Sequence, residues 1–164
     1  MTLFIIIITI VVSVFGFKDS NFFGKFLFNP FLVHKEKQWY RLLTHGFLHA
    51  DYFHLAINMF VLFSFGKNAE YYLSSTTNYI FLYFGGMIIA SLISLRKHKE
   101  NFYYNSVGAS GAVSAVVFTS IFFAPLQKIY IYGLIGLPGI VLGGSDNINH
   151  DAHFSGALFG FLFP

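Results

Sequence analysis

A serine and a histidine stand in two glycine-rich, otherwise apolar segments of this chain. Ser110 lies in the Gly-Ala-Ser-Gly run at 108–111, and His153 lies near the start of the apolar segment that ends the sequence. Nucleophilic or ionisable side chains are costly in membrane-type segments and commonly mark function. A hydroxyl and an imidazole are the minimum parts of an activated serine nucleophile. The pair therefore predicts hydrolysis by a serine–histidine site inside a membrane.

A second pair, His54 and Asn58, offers hydrogen-bond donors. Their spacing of four residues places both side chains on one face of a helix. Donors aimed at a developing oxyanion contribute about 3–4 kcal/mol each in a serine hydrolase. The N–H of Ser110, at a helix N-terminus, is a further candidate donor, and Gly108 permits close approach of a substrate to the backbone. In the alternative interpretation, His54 and Asn58 only tie helices together, for about 0.6–2 kcal/mol.

The last apolar segment suggests how the histidine reaches the serine. Gly156 and Gly160 form a face of small residues after His153, which allows this helix to pack closely against another helix. The helix that starts at Ser110 is the expected partner. Asp151 stands only two residues before the histidine and would point elsewhere on a helix, so we predict a serine–histidine dyad rather than a triad.

Histidine spacing also raises the question of a metal site. His45 and His49 are four residues apart, as in metalloprotease helices, but Gly46 stands where the catalytic glutamate would be. His150 and His153 are three residues apart. The sequence places no third ligand beside either pair, so we expect no bound metal.

Composition favours an integral membrane protein. Of the 164 residues, 55% are hydrophobic and only 10% are charged, whereas soluble domains average about 25% charged residues. Cysteine is absent, which excludes disulfides and cysteine nucleophiles. The net charge is only +3 and no long basic run occurs, so we expect no nucleic-acid partner.

Six apolar segments are candidates for membrane-spanning helices within a single domain, residues 1–164. Several are shorter than the roughly 20 residues that a spanning helix needs. They are Thr2–Phe17, Tyr52 to about Phe65 with an expected extension to Leu73, Tyr79–Leu95, Ser110–Pro125, Ile129–Gly144 and Ala152–Pro164. The first is predicted to be retained rather than cleaved as a signal, because no Lys or Arg precedes it. The connection 18–49 is either an interfacial segment or a packed loop, and the glycines of Gly143–His150 suggest a mobile lid.

Four motifs, in order, resemble the rhomboid family of intramembrane serine proteases. They are Trp39-Tyr40-Arg41, then Thr44-His45 to His49 with His54 and Asn58, then Gly108-Ala109-Ser110-Gly111, and finally Ala152-His153 with Gly156 and Gly160. Together they cover the chain from residue 39 to its end. Each motif alone is weak evidence, whereas all four in order are strong.

The resemblance implies an all-α polytopic membrane protein, a six-transmembrane-helix rhomboid-like bundle with a water-filled site that opens to the outer face. The roles it implies are nucleophile for Ser110, general base and then acid for His153, oxyanion stabilisation for His54, Asn58, Gly108 and the Ser110 N–H, and structural support for Trp39, Arg41, His49, Glu70, Gly111, Gly156 and Gly160. Substrates would be single-pass membrane proteins, cut where helix-breaking residues ease presentation of an extended peptide. No cofactor is needed. The implied location is the lipid bilayer, in the cell membrane or, in a bacterium, the inner membrane.

Three features qualify the resemblance. Many rhomboid proteases carry a tyrosine one turn after the serine, whereas this chain has Ser114. The charge distribution alone places the first and third loops in the cytoplasm, whereas the family topology places them outside, and we take the family topology as the prediction. The sixth segment ends soon after Gly160, which leaves the native end of the chain open.

Two other functions stay open at this point. A non-catalytic rhomboid-like protein would bind membrane clients, but loss of the serine or the histidine would mark that class, and both are present. A small transporter with a His/Asn-lined path would be expected to show intramembrane carboxylates or inverted repeats. The acidic residues here lie mostly in loops or at segment ends.

Overall fold

The computed structural model of the chain describes residues 1–124 and 150–163. Within these ranges the protein is all-helical, without a β-strand, as the sequence predicts. The helices are α1 (Thr2–Lys18), α2 (Ser20–Phe26), α3 (Pro30–Lys35), α4 (Arg41–Thr44), a 3-10 turn (His45–Phe47), α5 (Tyr52–Leu73), α6 (Thr76–His98), α7 (Ser110–Phe123) and α8 (His150–Leu162). The predicted fifth segment, Ile129–Gly144, and residues 143–149 of the predicted lid lie outside the described residues.

Capping side chains set where the two longest helices begin. The Asp51 carboxylate accepts a 2.7 Å hydrogen bond from the His54 N–H, so α5 begins at the next residue, as predicted. Ser75 caps α6 in the same way through Asn78. The predicted start of this helix, Tyr79, rested on the apolar pattern alone. The Ser75 cap starts α6 three residues earlier, at Thr76.

Helix α1 turns its polar residues inward and most of its large apolar residues outward. The small polar residues of its inner face, Thr2, Thr9 and Ser13, are each at most 1% exposed. Its outer face is exposed and consists of Leu3, Phe4, Ile7, Ile10, Val11 and Phe15. Lipid solvates such an outer face, whereas close helix contact and interhelical hydrogen bonds favour small polar residues inside.

Helix length gives a first count of membrane spans. Among the described helices, α6 is long and apolar enough to cross a membrane. The segment Arg41–Phe47 and α5 together would make a second span, bent by 95° at the break between them. The described residues also include three shorter apolar helices of 10–17 residues, namely α1, α7 and residues 153–162 of α8.

The first loop (residues 19–51) is an ordered, helical connection braced by Arg41. The Arg41 side chain is 4% exposed. Its guanidinium donates to the carbonyl oxygens of Gly24 (3.0 Å) and Leu27 (2.6 Å) and to Oε1 of Gln38 (2.6 Å). One planar side chain therefore connects α2 to the start of α4.

We expect Arg41→Lys to lower the free energy of unfolding by about 1–3 kcal/mol, because a lysine cannot reproduce the fork and leaves a buried carbonyl unpaired. Thermal unfolding in detergent micelles measures the change. Arg96→Lys is the matched control, since Arg96 is exposed at the end of α6. Equal unfolding midpoints for the two variants would contradict the bracing role.

Candidate active site

Ser110 occupies the first turn of α7, two residues after a glycine in a left-handed conformation. Gly108 has φ +118°, and its N–H donates to the His45 carbonyl over 3.0 Å. A Cβ at this glycine would lie 2.8 Å from Cε1 of His54. The Ser110 N–H has no partner within its own helix, because it lies at the helix N-terminus, which is the positive end of the helix dipole. The N–H of Gly108 is engaged by His45, so this glycine provides space at the site rather than a donor.

His54 and Asn58 stand beside this turn on successive turns of α5. The Asn58 side chain is 6% exposed, and its Nδ2 donates to the His54 carbonyl over 3.0 Å. An amide carries two N–H groups, so the second remains a donor for a ligand. The half-buried His54 ring lies against Gly108, two residues before Ser110. His54 therefore lies beside the turn that leads into Ser110, and Asn58 lies one helical turn further along α5.

Two glycines seat α8 directly on the backbone of α7. A Cβ at Gly156 would lie 2.1 Å from the carbonyl oxygen of Gly111, and a Cβ at Gly160 would lie 2.0 Å from that of Ala115. One turn further on, the buried Thr119 hydroxyl donates to the Gly160 carbonyl over 2.5 Å. The contacts advance in the same direction on both helices, so α7 and α8 run parallel.

The parallel packing places Ser110 and His153 at the same end of the helix pair. His153 precedes the Gly156 contact by three residues, and Ser110 precedes the Gly111 contact by one. At 1.5 Å per residue, their levels along the helix axes differ by only about 3 Å. Both residues are partly exposed. The arrangement suits a serine nucleophile with an imidazole base.

His45 and His49 join the first loop to α6 and α1 by hydrogen bonds. His45 Nδ1 lies 2.8 Å from the Arg41 carbonyl, and its Nε2 lies 3.3 Å from the Ser91 hydroxyl. His49 Nδ1 lies 3.0 Å from the Ser13 hydroxyl, and burial lowers the pKa of His49 to about 3, which keeps the ring neutral. Across the described residues, no group of three or more His, Cys, Asp or Glu side chains could hold a metal ion.

The two remaining motif residues lie away from the predicted dyad. Trp39 is half-exposed on the first loop. Glu70 lies near the end of α5 and accepts hydrogen bonds from the N–H (3.1 Å) and hydroxyl (2.9 Å) of Thr2. A Cβ at Gly66 would lie 2.5 Å from the Thr2 methyl group, so this glycine makes room for the start of α1.

Sequence reasoning missed several polar residues that support the site. Ser13, Ser91 and Thr119 are buried and hydrogen-bonded within apolar helices. One available signal was the spacing of Thr2, Thr9 and Ser13, seven and four residues apart, which marks one helical face.

Comparison with known proteins identifies the family of this chain. The family model of the Rhomboid domain matches residues 36–164, most of the chain. The chain belongs to the rhomboid family. Rhomboid proteins are membrane proteins, and the outward apolar face of α1 fits that environment.

The relatives include chloroplast and mitochondrial proteins. The chain is 32% identical to Rhomboid-like protein 11, chloroplastic, of Arabidopsis thaliana, over 80% of this chain and 54% of that protein. It is 26% identical to RHOMBOID-like protein 12, mitochondrial, of the same plant, over 81% and 49%. It is 29% identical to the human Presenilin-associated rhomboid-like protein, mitochondrial, over 74% and 36%. The chain thus spans about half, or less, of the length of these relatives.

Proposed function

We propose that this rhomboid protein is an intramembrane serine protease that hydrolyses peptide bonds in or near the transmembrane segments of membrane proteins. The observation that carries the proposal is the parallel seating of α8 on α7 through Gly156 and Gly160. It brings a serine at a helix N-terminus and an imidazole to one end of the same helix pair. A serine hydroxyl beside an imidazole base is the minimum arrangement for nucleophilic acyl transfer.

The proposed reaction is two-step acyl transfer. His153 accepts the hydroxyl proton as Ser110 Oγ attacks the carbonyl carbon of the peptide bond. The tetrahedral oxyanion receives hydrogen bonds from the Ser110 N–H and from the side chains of His54 and Asn58. The C–N bond breaks as His153 gives the proton to the leaving amine. Water, activated by the same imidazole, then hydrolyses the acyl ester and restores the serine.

The proposed setting is a polytopic bundle of six membrane helices that forms one domain. α1 and α5 to α8 supply five of the six, and the remaining predicted segment, Ile129–Gly144, lies outside the described residues. Substrates are single-pass membrane proteins that enter from the surrounding lipid. Helix-breaking residues near the cleavage site favour an extended backbone, which the nucleophile requires. The chemistry uses side-chain and backbone groups alone, so we propose no cofactor and no metal.

Reconstitution in liposomes tests the proposed function. The full chain is mixed with a single-pass substrate that carries Gly and Pro residues in its transmembrane segment, and cleavage is followed by gel and mass spectrometry. We expect cleavage within or beside that segment. Co-purification of the intact substrate with the protein, without cleavage, would favour a client-binding protein and contradict the proposal.

We expect His54→Ala and Asn58→Ala each to lower kcat by about 10²–10³-fold, because each removes a donor whose hydrogen bond strengthens in the transition state. Steady-state cleavage of the reconstituted substrate gives kcat and KM separately. Ser64→Ala is the matched control, since it removes a polar group from the exposed face of the same helix. Unchanged kcat in both site variants would contradict the oxyanion role and leave them as helix-packing residues.

A further inference from the structure

The segment that leads into Ser110 is held by backbone bonds to the first loop. Ser106 and Phe28 exchange two hydrogen bonds, of 3.0 and 2.9 Å, in the isolated antiparallel bridge. Two residues later, the Gly108 N–H donates to His45. The first loop therefore holds the 99–109 loop on both sides of residue 107, immediately before α7 begins.

Asn29, next to this bridge, uses its whole side-chain amide to join the two loops. The residue is 4% exposed. Its Nδ2 donates to the Phe102 carbonyl (2.8 Å) and to Oδ1 of Asn105 (3.0 Å), while its own Oδ1 accepts from the Leu32 N–H (2.9 Å) and caps α3. The two N–H groups thus serve the 99–109 loop, and the oxygen serves the first loop.

A second link between the same loops lies at the surface. Lys35 Nζ is 3.0 Å from one Glu100 carboxylate oxygen, and His34 Nε2 is 3.7 Å from the other. The Glu100 side chain is 62% exposed. Exposed ion pairs contribute little because water screens them, so this link is a natural comparison for the buried one.

We propose that Asn29 is a positioning residue for Ser110: its carboxamide fixes the 99–109 loop on the first loop and so sets where the first turn of α7 presents the serine. The inference rests on the proposed function, because it concerns Ser110 as a nucleophile. Nucleophile placement affects the chemical step more than substrate binding, and a shift of about 1 Å can slow a reaction by about 10²-fold.

Asn29→Asp separates the two roles of this side chain. Aspartate keeps the shape and the oxygen that caps α3. It replaces both N–H donors with an acceptor that faces the Phe102 carbonyl and Asn105 Oδ1. Glu100→Gln is the matched control, since it is also an isosteric exchange of nitrogen and oxygen but acts on the exposed link.

The test is the rate of Ser110 acylation by a fluorophosphonate, measured against probe concentration in purified full-length protein at a temperature well below unfolding. For Asn29→Asp we expect a maximal rate about 10- to 100-fold lower, with little change in the half-saturating concentration. For Glu100→Gln we expect a rate within twofold of the unmodified protein.

The outcomes separate this inference from the proposed function. If the unmodified protein is labelled and Asn29→Asp is labelled at the same maximal rate, the positioning role is overturned, even if the unfolding temperature of Asn29→Asp is lower. An unmodified protein that is never labelled would overturn the proposed function as well. If Asn29→Asp does not fold, Asn105→Ala removes only one of the two links, and a maximal rate equal to that of the unmodified protein would again overturn the inference.

Discussion

His153→Ala is expected to reduce proteolysis by about 10⁴-fold, because the serine hydroxyl then has no base to accept its proton. Ser110→Ala is expected to have the same effect. The double variant should be no worse than either single variant, because the two residues act as one unit. Cleavage of the reconstituted substrate, followed over long incubation, measures all three.

The control for this series is His34→Ala, which removes a partly exposed imidazole from the first loop. It should retain nearly full activity. Additive losses in the double variant would contradict the dyad, since they would mean that the two residues act in independent steps.

Gly160→Ala and Gly156→Ala are expected to have the second-largest effect. In each case the added Cβ meets a backbone carbonyl of α7 at 2.0–2.1 Å, and a backbone atom cannot move aside as a side chain can. Overpacking typically costs about 1–3 kcal/mol. The forced shift of α8 also carries His153 away from Ser110, so we expect activity to fall by about 10²-fold or more. Thermal unfolding and substrate cleavage measure the two effects.

Gly24→Ala is the matched control for these variants. Gly24 lies in α2, and a Cβ there would meet nothing within 4 Å. The same exchange should leave activity unchanged and stability unchanged or slightly higher, because alanine is the better helix former. Wild-type activity in Gly160→Ala would show that close seating of α8 does not assemble the site.

Local signals explain why much of the fold could be predicted. The apolar segments predict both ends of α1 to within a residue and the first residue of α5, while the longer of the two predicted ends of α5, Leu73, is the observed one. The spacing of Gly156 and Gly160 predicts the packing face of α8, and the expected serine–histidine dyad predicts α7 as its partner. Such features depend on neighbours a few residues apart, which periodicity reveals.

The supporting contacts of the site could not be predicted in the same way. Asn29 meets residues more than 70 positions away, and Ser13 meets His49 across 36. Their types and spacing carry no mark of those partners, since a small polar residue in a helix or loop satisfies its hydrogen bonds in many ways. The N–H of Gly108 is a similar case, because only the fold shows that it is engaged by His45.

The inward polar face of α1 links these contacts to the membrane setting. In lipid, apolar residues gain little from burial between helices, so close packing and hydrogen bonds must hold the bundle together. Thr2, Ser13 and Thr119 each make such a bond to another element. Stability and site geometry therefore depend on the same small polar residues.

Covalent labelling with a fluorophosphonate tests the central claim most directly. The purified protein, Ser110→Ala and His153→Ala are treated side by side, and the labelled residue is mapped by mass spectrometry. We predict one adduct, on Ser110, that is absent from both variants. Folded protein without an adduct, or an adduct that survives the loss of His153 at an unchanged rate, would contradict a serine–histidine protease.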